Sequence, residues 1–151
     1  MVNIFKEPVK KFNTIDYIKN TEEGFIVNSF FDEDSANNIY NKDILLSTND
    51  IFNTILPPEI LECYGLFSVE SARAFVEYAF NINKHTITTA ILTNIFNNPK
   101  DRIAYYCIKY LNINDEIHFY GTIDIPEMYE EYIEDYIDSK ISKIISNIEK
   151  I

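Results

Sequence analysis

A chain of 151 residues with 24 acidic and 13 basic side chains has a formal net charge of −11, which argues against direct binding of a phosphate backbone, since that needs a basic footprint. Hydrophobic content of 46 %, with eleven Tyr and eleven Phe, excludes a disordered chain, and no apolar run approaches the roughly 18–20 residues of a membrane span. With three glycines, Gly24, Gly65 and Gly121, no G-x-G-x-x-G or other phosphate-cradling loop can form.

The length predicts a single domain over 1–151, able to bury roughly 70 % of its unfolded surface without metals or disulfides. Residues 1–8 contain no apolar stretch of the signal-peptide kind, so a cytoplasmic protein is expected. Residues 1–45 read as an irregular or α+β N-terminal part. Within it, residues 25–31 after Gly24 form a short β-branched and aromatic strand, and Asp32 to Tyr40 a short helix with an acidic start.

Residues 47–111 read as a helical array. Ser47, Thr48, Asn49 and Asp50 are cap candidates for a helix over Ile51 to Leu56, which Pro57 and Pro58 end. Pro58 then starts a helix that runs to Tyr64 and stops at Gly65, and Ser68 caps another that reaches about Ile82. A 3.6-residue pattern predicts a helix from Thr86 to Phe96 through Ile87, Ala90, Ile91, Asn94 and Ile95. Asn97, Asn98 and Pro99 break it, and Lys100 to Leu111 repeats it through Ile103, Ala104, Cys107, Ile108 and Leu111. Ile117, Phe119 and Tyr120 suggest a second strand, pairing with residues 25–31 in a two-stranded piece that the helices would have to support.

The C-terminal part predicts a long amphipathic helix over 126–150. Pro126 suits a first helical position, and Ile133, Ile137, Ile141, Ile144, Ile148 and Ile151 form one apolar stripe, with Tyr129, Tyr136 and Ile145 at its margins. The expected fold is therefore mainly α, with α+β possible: an antiparallel helical array with a long C-terminal helix and at most a small two-stranded β piece.

Chemical motifs are few. His85 and His118 have no H-x-x-x-H spacing, and Cys63 and Cys107, outside any C-x-x-C spacing, are expected to be buried free thiols. Asp32, Glu33, Asp34 and Asp43 approach a calcium loop, but Ala36 and Asn37 depart from its pattern at a ligand position and at the glycine turn. No catalytic residue, metal ligand or cofactor is assigned.

The acidity itself is local. Residues 115–151 carry ten acids and three lysines, net −7, and between Asp115 and Asp138 nine acids occur with no Lys or Arg. On the expected helix, Glu127–Glu131, Glu130–Glu134, Glu131–Asp135 and Glu134–Asp138 are like-charge pairs at i,i+4, each costing about 0.2–0.5 kcal/mol, and no lysine nearby in sequence answers them. Glu127, Glu131, Tyr132, Glu134, Asp135 and Asp138 are therefore the candidate partner-binding residues, with Tyr132 as an anchor and Tyr129 and Tyr136 expected to pack in the core with their hydroxyls reaching water. The expected function is that of a non-enzymatic acidic binding protein of the immunity or inhibitor type. It would neutralise a basic toxin, plausibly a nuclease, by covering its substrate groove; the basic partner could also be another nucleic-acid-binding protein. Alternatives are a viral or phage helical accessory protein, a small enzyme using His85, His118 or a cysteine, and an oligomer paired through an uncovered isoleucine stripe.

Overall fold

The computed structural model describes residues 14–21, 24–31, 42–46, 51–82, 86–113 and 115–149. They form a six-stranded mixed sheet of order β3-β2-β1-β4-β5-β6, with β1 at Thr14–Thr21, β2 at Gly24–Phe31, β3 at Lys42–Leu46, β4 at Ile87–Thr93, β5 at Ile103–Asn112 and β6 at Asp115–Asp124. Helices α1 (Pro58–Tyr64), α2 (Val69–Ile82) and α3 (Ile133–Glu149) accompany it, with a π-helical turn at Ile51–Ile55 and a 3₁₀ turn at Glu130–Tyr132. The fold is α+β, not a helical array.

The error in the helical reading has a specific cause. Residues 87–93 and 103–112 are the strands β4 and β5, not helices. All seven residues of β4 are buried, so neither face meets solvent and the apolar/polar alternation that marks a half-buried strand is missing. Such a run mimics a helical stripe by chance. What distinguishes it is β-branching at Ile87, Thr88, Thr89, Ile91 and Thr93, whose stiff side chains fit a pleated surface better than a helix.

β1 and β4 run parallel, with Ile15 opposite Ile87 and Lys19 opposite Ile91, whereas the other neighbours are antiparallel. The chain must therefore return to the starting end of the sheet before β4, and α2 is the long element on that path. Ser68 caps α2 as expected, its Oγ accepting the Ser71 N–H at 3.1 Å. α1 ends where expected too, the Gly65 N–H donating to the Leu61 carbonyl at 3.0 Å with Gly65 at φ 81, a conformation that favours glycine.

Two cores sandwich the sheet. On one face Ala72, Phe75, Val76 and Ala79 of α2 pack against Ile18, Ala90, Leu92 and Cys107, with Ile51, Ile55 and Leu56 completing the layer. On the other, Ile133, Ile137 and Ile141 of α3 cover Ile91, Ala104 and Ile123, while Ile148 reaches Ile87, Ile108 and Tyr110. Among the described residues, Ile133, Ile137, Ile141 and Ile148 of the isoleucine stripe are thus covered by the chain's own sheet. α3 begins at Ile133, seven residues after the expected start at 126. The strand expected at 25–31 is β2 and the one at 117–120 lies within β6, yet they do not pair, being separated by β1, β4 and β5. Ile51–Ile55 is a π-helical turn in place of the expected helix to Leu56. The expected helix at 32–40, the acidic loop through Asp43 and His85 fall outside the described residues. No helix among the described residues is long and apolar enough to cross a membrane.

Candidate functional site

The acidic surface is built where β6 hands over to α3. Arg102, just before β5, directs its guanidinium to three carbonyls: Nε donates to Ile125 at 3.0 Å, Nη1 to Pro99 at 3.1 Å, and Nη2 to Pro126. The Ile125 N–H returns a bond to the Arg102 carbonyl at 3.0 Å. This clamp fixes the chain at 125–126, with the guanidinium's bonds going to carbonyls and none to Glu127. Residues 127–129 are not helical, and the 3₁₀ turn follows, closed by the Tyr132 N–H donating to the Tyr129 carbonyl at 3.0 Å.

The consequence is exposure. Tyr129 is 77 % accessible and Tyr132 54 %, their rings meeting edge-on with centroids 6.3 Å apart. Tyr129 is therefore not the core residue that its place beside the isoleucine stripe suggests, whereas Tyr136 does pack against the α3 core, with Lys140 Nζ 5.4 Å from its ring centroid. Glu127, Glu130, Glu131 and Asp135 are all exposed, and among the described residues none of them has an ion-pair partner. Asp135 also lies in the first turn of α3, where the helix dipole favours a negative charge.

Glu134 and Asp138 behave differently. Lys19 of β1 reaches across to Asp138 Oδ2 at 3.1 Å and Glu134 Oε1 at 3.7 Å, so this end of the ladder is answered from 119 residues away, a pairing invisible to a reading of local spacing. Of the six candidate partner-binding residues, Glu127, Glu131, Tyr132 and Asp135 remain open to solvent, while Glu134 and Asp138 are partly withdrawn. Tyr129 and Glu130 join the open set.

A second charged group lies under α2. Lys109 is 2 % exposed, with Nζ 2.8 Å from Glu77 Oε1 and 2.8 Å from Glu116 Oε1, and 4.0 Å from the centroid of the Phe80 ring. His118 Nε2, opposite Lys109 on β6, lies 2.8 Å from Glu77 Oε2. Burial acts to raise the Glu77 pKa, but hydrogen bonds from Lys109 and His118 outweigh it and hold the carboxyl below its usual range. Burial likewise acts to lower Lys109, and its bonds to Glu116 and Glu77 overcome it, leaving the ammonium more basic than usual. The neighbouring Cys107 thiol is pushed up to about 12 by burial, which removes it as a nucleophile at neutral pH. Cys63, expected to be buried, is exposed.

With its ammonium enclosed and paired, Lys109 ties α2 to β5 and β6 and is not presented to a substrate. The sequence did carry a sign of it: a single Lys within Cys107-Ile108-Lys109-Tyr110-Leu111 has no solvent side in a sheet covered on both faces, so it must find carboxylates. Among the described residues no group of three or more His, Cys, Asp or Glu could hold a metal ion.

No family model matches the chain, and no curated protein matches it. In structure it is similar to a protein described as a competence-damaged protein (CinA) superfamily protein from Enterobacter cloacae, with a TM-score of 0.53 and 7 % identity over 69 % of this chain. The matched region spans 62 % of that protein's length. This likeness is one of fold: it agrees with the mixed sheet and overturns the expectation of a mainly helical array, and it lies with a CinA-superfamily protein rather than with an immunity protein.

Proposed function

We propose that this chain is a non-enzymatic binding protein that engages a basic protein through the exposed surface formed by Glu127, Tyr129, Glu130, Glu131, Tyr132 and Asp135. The observation that carries the reading is the coexistence of four carboxylates without a cationic partner among the described residues and two large aromatic rings left in solvent on a backbone clamped by Arg102. Unneutralised carboxylates steer a positive surface into encounter, and tyrosines supply buried contact area at low conformational cost once the partner arrives. The clamp and the 3₁₀ turn hold the surface ready, which lowers the ordering cost of association. A toxin or a nucleic-acid-binding protein, each with a positive groove made for phosphates, has the chemistry this surface complements.

The test is capture of proteins from the source lysate by three immobilised forms: the wild type, Glu127→Gln/Glu131→Gln/Asp135→Asn, and Glu59→Gln/Glu62→Gln/Glu70→Gln. Both variants lose three negative charges from exposed positions, the second on α1 and α2. Retention of a basic protein by the wild type and the second variant but not the first, weakening with salt, is the expected result. Equal retention by all three, or none by any, overturns it.

A further inference from the structure

We infer that a groove beside this surface receives an arginine side chain of the basic partner, an inference that rests on the reading above and names the chemistry of its central contact. β1 and β4 are parallel, so their carboxyl ends lie at the same end of the sheet, and ligands of α/β sheets gather beyond such ends. The two ends are locked together by Asn20, whose carboxamide donates to the Thr93 carbonyl at 2.5 Å and accepts the Thr93 N–H at 2.6 Å. Beyond this lock lies an open groove of about 370 Å³, within the range of small-ligand sites.

Its walls and rim point to one class of ligand. Phe25, Phe67 and Phe96 supply aromatic surface, and Phe25 is held by stacking on Phe75 at 5.7 Å and on Phe67 at 6.5 Å. Glu130, one of the exposed carboxylates of the acidic surface, lines the same groove and makes the two sites continuous. Asn97 is the other rim residue, and its amide nitrogen donates to Asn94 Oδ1 at 3.1 Å, which leaves its own oxygen to accept. The Asn20 amide is committed to Thr93, and the Thr21 hydroxyl donates to the Gly24 carbonyl at 3.4 Å. Among the described residues the lining thus presents acceptors and a negative charge, with no Lys, Arg or His. A phosphate or carboxylate ligand is opposed by Glu130. A guanidinium fits on every count, since it is planar, stacks on aromatic rings, forms paired hydrogen bonds with a carboxylate and keeps donors for an amide oxygen.

The probe is Nα-acetyl-L-arginine amide, with the citrulline analogue as a neutral compound of the same shape, titrated into the full chain while NMR follows the backbone amides. The arginine amide should shift Thr21, Phe25, Phe96 and Asn97 saturably and citrulline should not. Glu130→Gln, at an exposed position that leaves the fold intact, should weaken the arginine amide about tenfold, the loss of one charge-assisted hydrogen bond. Equal shifts by both compounds, or shifts confined to Glu127 and Asp135, overturn the groove. This titration uses no partner, so it judges the groove even if the capture experiment fails. Where capture succeeds, saturating arginine amide should release the partner. Binding of the amide without release assigns the groove to a free guanidinium compound and overturns the proposal.

Discussion

Under α2, Lys109 is 2 % exposed and meets Glu77 and Glu116 at 2.8 Å, whereas beside the start of α3 the carboxylates of Glu127, Glu130, Glu131 and Asp135 stand in water without an ion pair among the described residues. Both regions are rich in acid, but only the first is constrained by burial. An ammonium removed from water has to be neutralised inside the fold, and α2 and β6 supply the acids at the required positions. A surface carboxylate is hydrated at little cost, so nothing in folding compels a cation beside it. Arg102 is directed to carbonyls and Lys140 sits over Tyr136, and neither forms an ion pair with these carboxylates. Charge balance in the first region belongs to stability, and its absence in the second is what the proposed binding of a basic partner rests on.

The sharpest way to break this contrast is Lys109→Met, which keeps the apolar stem and removes the ammonium. Glu77 and Glu116 side chains are 38 % and 50 % exposed and can hydrate, so the loss should be about 1–3 kcal/mol in urea unfolding, below that of a wholly buried pair. An unchanged midpoint would mean that the cluster is dispensable.

Next in size is the pH dependence. Because Glu77 has a lower pKa folded than unfolded, its contribution is fully present above its ordinary 4.5 and is lost as the pH falls through the depressed folded value. Lys109, raised when folded, contributes fully below its ordinary 10.5 and loses that contribution as the pH rises through the raised value. Urea midpoints measured across pH should therefore fall at both ends, and Glu77→Gln should flatten the acid limb.

A smaller change is expected for Lys19→Met, which removes the ammonium beside Glu134 and Asp138. Their pair with Lys19 is partly exposed and contributes at most about 1 kcal/mol, yet removing it takes one positive charge from this face, so capture of a basic partner at low salt should strengthen. Weakened capture would mean that Lys19 itself belongs to the interface. Least costly to the fold is Glu131→Gln, within about 0.5 kcal/mol by denaturation, while reducing capture. A clear loss of stability there would sink the idea that this face is free of structural duty.

Much of the helical half of the fold was legible. The Pro58 start and Gly65 stop of α1, the Ser68 cap of α2 and the isoleucine stripe of α3 follow from local rules of backbone geometry and burial. β4 was not legible by period, because burial on both faces erases alternation and leaves β-branching as the remaining sign, and in β5 the run 107–110 is buried on both faces likewise. Of the candidate site, Glu127, Glu131 and Asp135 were named from charge density and Tyr132 as an aromatic beside them, off the isoleucine stripe, and all four are exposed. Tyr129 was misplaced because the helix was started too early, and the pairing of Glu134 and Asp138 with Lys19 needed the fold to bring β1 beside α3.

By itself the sequence determined where the acidity lies, which helix ends are capped and which isoleucines must be covered, since each of these depends on residues within a few turns of one another. Only the tertiary structure decided what covers the stripe, which carboxylates meet a cation and where Phe25, Phe67, Phe96 and Glu130 form a groove. Those are contacts between distant segments, set by strand order and by the parallel pairing of β1 with β4, for which local spacing holds no signal.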